Sequence, residues 1–186
     1  MDLDEAIRGR RSARAHTSQP VDEETIRRLI DAAVHAPSAT NAQPWAFTVV
    51  RDQDLLGRVS DAAKAHLLAA MPAGPRSDRY RSELADPDFH IFYHVPVLIV
   101  ISETADGPWV VADCALAAEN LTLAAHAVGL GTCWIGFAQG YLNMPDGKDA
   151  LGLPPEWVPV APIIVGHPTA VPPPVARREP EIRWVG

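Results

Sequence analysis

The chain has 186 residues, 47% hydrophobic and 21% charged, with a formal net charge of -7 at pH 7. That length fits one domain over residues 1–186 with a single buried core. The acidic balance excludes nucleic acid as a partner, because counterion displacement needs a broad basic surface. The two cysteines, Cys114 and Cys133, are too few for a disulfide framework, so a reduced cytoplasmic protein is expected. The first residues are acidic and never enter an apolar run, which argues against a signal peptide. The most apolar stretch, Trp109 to Leu130, is interrupted by Asp113, Glu119, Asn120 and His126, which excludes a membrane span.

Taken in chain order, Asp22 is placed to cap a helix running to about His35, since Ile26, Leu29, Ile30, Ala33 and Val34 recur at helical spacing. Ala36-Pro37-Ser38 stops that helix, Trp45 to Val50 reads as a strand, and Gln53 to Ala70 returns to helical composition. Residues Met71 to Asp88 hold Pro72, Gly74, Pro75 and Pro87 among charges, so the region 70–94 is expected to be an irregular, variable flap over a site. Val97 to Ser102 is an uninterrupted apolar run, as for a central strand covered on both faces. Trp109 to Val128 predicts a helix with Gly129 at its left-handed cap. Its few polar residues span a narrow arc, so most of its circumference must be covered, in part by a partner subunit. Thr132 to Gly136 and Val158 to Val165 are further strands. Residues 167–186 hold Pro168, Pro172, Pro173, Pro174 and Pro180, which predicts an extended arm lying on another surface.

Three segments have the residue types of a binding site. Arg8, Arg10, Arg11 and Arg14 fall close together in a chain with only two lysines, Lys64 and Lys148. Guanidinium forks match phosphate oxygens, and Ser12 adds a hydroxyl among them; otherwise the segment is a solvated basic turn. In the loop Ala36 to Trp45, Pro37 and Pro44 keep the backbone extended and leave Ser38, Asn41 and Gln43 to hydrogen-bond a flat heterocycle, or else to satisfy their own turn. Gly129 to Gly136 is glycine-rich, but it follows a helix and opens a strand, the reverse of a dinucleotide-binding turn. It suits a strand delivering the Ile135 and Gly136 amides to a ligand edge. His90 and His94 share helical spacing but lack a third fixed ligand, so no metal is assigned.

Arg10-Arg-Ser-x-Arg14, Pro37-Ser-x-x-Asn-x-Gln-Pro-Trp45 and Gly129-Leu-Gly-x-Cys-Trp-Ile-Gly136, in this order, resemble the nitroreductase family, as does Gly166-His-Pro followed by an arginine-bearing arm. The resemblance implies an α+β fold, a mostly antiparallel central sheet flanked by helices, in an intertwined homodimer. It implies FMN as cofactor and NADH or NADPH as co-substrate, with electrons passing in ping-pong fashion to nitroaromatic, quinone or similar small acceptors. Arg10, Arg11 and Ser12 would hold the phosphate and ribityl chain, and Arg14 the pyrimidine edge. Pro37, Ser38, Ala39 and Asn41 would surround the ring and ribityl chain. Trp134, Ile135 and Gly136 would lie beside flavin N5, and Arg177 and Arg178 would add to the phosphate site. Val175 and Ala176 stand where many members have a basic residue. No catalytic residue is implied, since the flavin performs the hydride chemistry. A specialised enzyme of this architecture, a reductive dehalogenase or a flavin-fragmenting enzyme, is one alternative, and a non-catalytic flavin carrier or sensor is another.

Overall fold

The computed structural model describes residues 1–72 and 74–186. Its elements run α1 (Leu3–Gly9), α2 (Glu23–Val34), β1 (Trp45–Val50), α3 (Gln53–Ala70), α4 (Pro75–Ala85), β2 (Val97–Glu103), α5 (Val110–Ala127), β3 (Gly131–Trp134), α6 (Gly136–Leu142), α7 (Pro145–Leu151) and β4 (Val158–Gly166). Local chemistry sets several of these boundaries. At α2, the Thr25 amide donates to the Asp22 carboxylate at 2.7 Å, and that carboxyl is held below its usual range by the Thr25 amide and hydroxyl. Asp52 caps α3 in the same way, accepting from the Leu55 amide at 3.0 Å.

The strands form one four-stranded sheet in the order β1-β2-β4-β3, with every pairing antiparallel. Alternation along β2 explains its unbroken apolar run. Val97, Ile99 and Ile101 enter one core with Leu29 and Ala33 of α2 and Ala117 and Leu121 of α5. Leu98 and Val100 enter a second core with Leu56 and Val59 of α3 and Ala138 and Leu142 of α6. Helices therefore cover both faces of the sheet, the α+β arrangement expected. Among the described residues no helix is long and apolar enough to cross a membrane.

Two regions depart from the sequence reading. The flap is not irregular throughout: α4 occupies Pro75–Ala85. Proline opens this helix, because a first-turn amide has no intrahelical acceptor and its loss costs nothing there. Ala73, inside that flap, lies outside the described residues. The strand expected over Thr132 to Gly136 ends at Trp134, and Gly136 begins α6. Helices α6 and α7 have seven residues each and no side-chain cap, so the stretch carries little periodic signal.

Lys64 ties the chain after α4 back to α3. It is only 7% exposed, and its ammonium donates to the Phe89 carbonyl at 2.7 Å and lies 3.2 Å from Asp61. Lys64→Ala strips the Phe89 carbonyl of this donor and is expected to lower unfolding free energy by about 1–3 kcal/mol, read by chemical denaturation. An unchanged midpoint would show that the tie contributes nothing.

Candidate functional site

The site begins with the N-terminal segment lying along the open edge of the sheet. Ser12 bridges Thr132 in parallel fashion, and the Ala13 amide donates to the Thr132 carbonyl at 2.9 Å. Farther on, Thr17 donates to the His167 carbonyl at 2.8 Å and Thr169 to the Ala15 carbonyl at 3.1 Å. The approach is close enough to demand glycine at Gly131, where an added Cβ would sit 2.7 Å from that of Ala13. The arginine cluster is thus fixed to β3 by its backbone and is not a free turn.

The side chains divide along this segment. Arg8 pairs with Asp4 on the exposed face of α1, away from the others. Arg10 approaches Glu119 of α5 at 3.5 Å, and Arg11 donates to the Arg8 and Arg10 carbonyls at 2.5 and 2.9 Å. The Nε atoms of Arg10 and Arg11 are both buried and neither makes a hydrogen bond among the described residues, although that of Arg10 is the atom 3.5 Å from the Glu119 carboxylate. Buried donors on permanent cations are costly to leave unmet, so this pair suits an anion. Their charge also reaches His126, whose ring burial, then Arg10 and Arg11, hold below its ordinary pKa. Burial pushes the Cys133 thiol up against the pull of Arg14, Ser12 and Arg10. A protonated, buried thiol is not a nucleophile.

The loop after α2 is held differently. Its amide at Ala39 donates to both oxygens of Asp113 in α5, at 3.2 and 3.3 Å. Ser38 accepts the Gln43 amide at 3.0 Å, and Asn41 accepts the Gln43 side chain at 3.3 Å. Their acceptors thus serve the loop, while the Ser38 hydroxyl proton and the Asn41 amide protons remain to be donated. Pro37 and Asn41 are exposed, and Thr40, Asn41 and Gln43 adopt left-handed φ angles of 53°, 56° and 49°.

At the end of β3, Trp134 is exposed, whereas Ile135 is 4% exposed and its amide donates to the Pro162 carbonyl at 2.8 Å. Ile135 therefore has no free amide for a ligand. Gly136 does offer one, since it lies in the first turn of α6, where intrahelical acceptors are missing. Beside it, Tyr80 of α4 meets Phe137 edge-on at 5.8 Å, and Tyr93 meets Phe89 at the same distance. Tyr93 and His94 take left-handed φ values of 53° and 51°, and burial raises the Tyr93 hydroxyl pKa against the pull of Arg14. Arg14 and Tyr93 thus border one edge of this region. Phe92 is fully buried and packs in the core.

Not every predicted residue converges. Arg177 and Arg178 are exposed on the arm, and neither makes a hydrogen bond or ion pair among the described residues. The loop and the arginine segment share no hydrogen bond or ion pair either; each is tied separately to α5. His90 and His94 lie with ring centroids 4.4 Å apart and planes tilted by 42°, but among the described residues no metal-holding cluster of three His, Cys, Asp or Glu forms. Asp113, Glu119 and His126 were visible in sequence only as polar residues in an apolar helix. Their tertiary partners lie far away in sequence and left no local signal.

A four-stranded antiparallel sheet between helical layers, edged by an arginine segment, defines an α+β protein. Residues 7–167 match the profile of the Nitroreductase family, and the chain belongs to that family. It is 31% identical over 177 residues to a candidate NADH dehydrogenase/NAD(P)H nitroreductase of Methanothermobacter thermautotrophicus, covering 92% of this chain and 80% of that one. It is also 31% identical to the 5,6-dimethylbenzimidazole synthase of Rhodospirillum rubrum, covering 89% and 82%. An FMN-dependent nitroreductase of Clostridium difficile superposes with a TM-score of 0.82 at 25% identity, covering 98% of each chain.

The paired histidines give the fold a pH dependence. Burial first, and the neighbouring His94 second, lower the His90 pKa to about 4, against opposing help from Asp61. The unfolded chain takes up this proton near pH 6.5 and the folded one does not, so stability falls as pH drops from about 6.5 to about 4. His90→Gln should flatten that limb in urea unfolding measured across pH, and an unchanged limb would contradict the assignment.

Proposed function

We propose that the chain is an FMN-dependent oxidoreductase that oxidises NADH or NADPH and reduces nitroaromatic, quinone or similar small acceptors, working as a cytoplasmic homodimer. The observation that carries this reading is the pair of buried Nε donors on Arg10 and Arg11, the latter without a partner among the described residues and the former met only by Glu119 at 3.5 Å, on a segment fixed beside β3. They fit a phosphate dianion in an otherwise acidic chain. Family membership and the likeness to an FMN-dependent nitroreductase support the rest.

In this reading Arg10, Arg11 and Ser12 bind the phosphate and ribityl chain. Arg14 places a fixed positive charge at the pyrimidine edge, where it favours the electron-rich state. Ser38 and Asn41 donate to ring or ribityl oxygens, with Pro37 and Ala39 shaping the approach. Gly136 presents an amide near N5, while Trp134 and Ile135 form the backing of that edge. When bound, FMN supplies the hydride chemistry, taking electrons from the nicotinamide and giving them to the acceptor in a ping-pong sequence.

A second copy accounts for the surface left open. Trp109, Val111 and Leu116 expose apolar area along α5, and Ile182, Trp184 and Val185 do so on the arm. Seating these on a partner removes that surface from water. The flavin then binds between subunits, with Arg177 and Arg178 reaching the phosphate from the arm.

The purified protein is expected to show the visible absorbance bands of oxidised flavin, and to oxidise NADH or NADPH in steady state with a quinone. A protein that neither carries nor takes up FMN would overturn the reading, and one that binds FMN without turnover would be a carrier. The likeness to 5,6-dimethylbenzimidazole synthase favours one second reading, fragmentation of the flavin itself. Chromatography separates the two: a reductase returns its FMN intact, and a fragmenting enzyme consumes it.

A further inference from the structure

The loop Pro37 to Gln43 closes on itself through a short helical turn, in which the Asn41 amide donates to the Ser38 carbonyl and the Ala42 amide to the Ala39 carbonyl, both at 3.0 Å. Left-handed backbone at Thr40, Asn41 and Gln43 is unfavourable for side-chain-bearing residues, mildly so for asparagine. Within the loop, Ser38 and Asn41 both bond to Gln43, which closes the turn but does not fix it to the body of the protein. Its tether is the Ala39 amide, which donates to Asp113 across 74 positions of sequence.

Asp113 is itself unusual. It is a carboxylate 5% exposed, in the first turn of α5, whose N-terminus has no side-chain cap. A buried carboxylate is costly unless bonded, and Asp113, one residue past the capping-box position, is not placed to bond back to the amide of Trp109 at the start of the helix. Here it turns outward, and its hydrogen bonds among the described residues all go to Ala39. The positive end of the helix dipole favours the charge without consuming the oxygens. Six positions along the same helix, about 9 Å by helical rise, Glu119 faces Arg10. That pair is more exposed and looser, so its contribution is small. Helix α5 thus touches both segments of the proposed flavin site, and its hydrogen-bonded, part-buried contact is the one to the loop.

We infer that Asp113 is a positioning residue for flavin binding: its carboxylate, through the Ala39 amide, sets the loop conformation in which Ser38 and Asn41 donate to the cofactor. The inference rests on the FMN reading above, and it assigns Asp113 no contact with flavin or substrate. It makes the loop's affinity for flavin depend on an acceptor oxygen inside α5.

The test compares wild type, Asp113→Ala and Asp113→Asn by FMN titration of the apoprotein, flavin visible spectrum and reduction potential. Asp113→Ala should weaken FMN binding about tenfold or more, the worth of one hydrogen bond to a charged group, and should alter band shape and potential. Asp113→Asn keeps an acceptor oxygen in the same place and should stay within about threefold of wild type with its spectrum restored. Wild-type affinity and potential in Asp113→Ala would overturn the inference, as would a loss in Asp113→Asn equal to that in Asp113→Ala. If Asp113→Ala does not fold, hydrogen exchange at the Ala39 amide of wild-type apoprotein decides. Slowing of about tenfold or more relative to an unstructured peptide supports the tether, and exchange at the peptide rate refutes it. Failure of wild type to bind FMN would instead strike the functional reading itself.

Discussion

Everything proposed for this protein depends on a short stretch of backbone pairing at the open edge of its sheet. Ala13 donates to Thr132, Ser12 lies in register beside it, and Thr17 and Thr169 continue the pairing with the start of the arm. Such bonds cost the chain conformational entropy, but they turn a basic stretch into a rigid row of side chains. Gly131 makes the approach possible, and the same glycine begins the strand that ends at Trp134. The cations and the edge of the sheet thus share one backbone support. Without that support the arginines would repel one another in solvent, and their long side chains would gain nothing by ordering.

Helix α5 is the second element on which the arrangement rests. Its apolar residues fill one core against β2, β4 and α2. Three of its polar residues are used in tertiary contacts: Asp113 to the loop, Glu119 to Arg10, and Asn120 to the Ala32 carbonyl at 3.2 Å. A helix this apolar would be insoluble alone, and its exposed Val111 and Leu116 mark where further cover belongs. Core and site therefore share one helix, which couples the site geometry to the stability of the fold.

Much of this was legible from sequence because it is local. The β1 strand and the α3 helix fall on the residues that composition indicates, and α2 on those that spacing indicates, since residue preferences and caps such as Asp22 act over a few residues. The flap shows where local reading misleads. Pro75 reads locally as a breaker, yet a proline at a helix start breaks nothing. The end of β3 shows another limit. Ile135 sits in an apolar strand pattern, and only the tertiary bond to Pro162 reveals that its amide is spent. Likewise the arginine cluster was conspicuous as a charge anomaly, while the division of labour within it depends on Glu119 and on burial, which no spacing encodes. Arg177 and Arg178 are exposed and make no hydrogen bond or ion pair among the described residues, so the role proposed for them requires a second copy.

The central claim is that three segments distant in sequence form one flavin site. Hydrogen exchange of the protein with and without FMN tests this directly. Exchange is predicted to slow together at residues 10–14, 37–43 and 134–137, with the outer faces of α3 and α7 unchanged. Slowing confined to a single segment, or absent from all of them when FMN is bound, would contradict it.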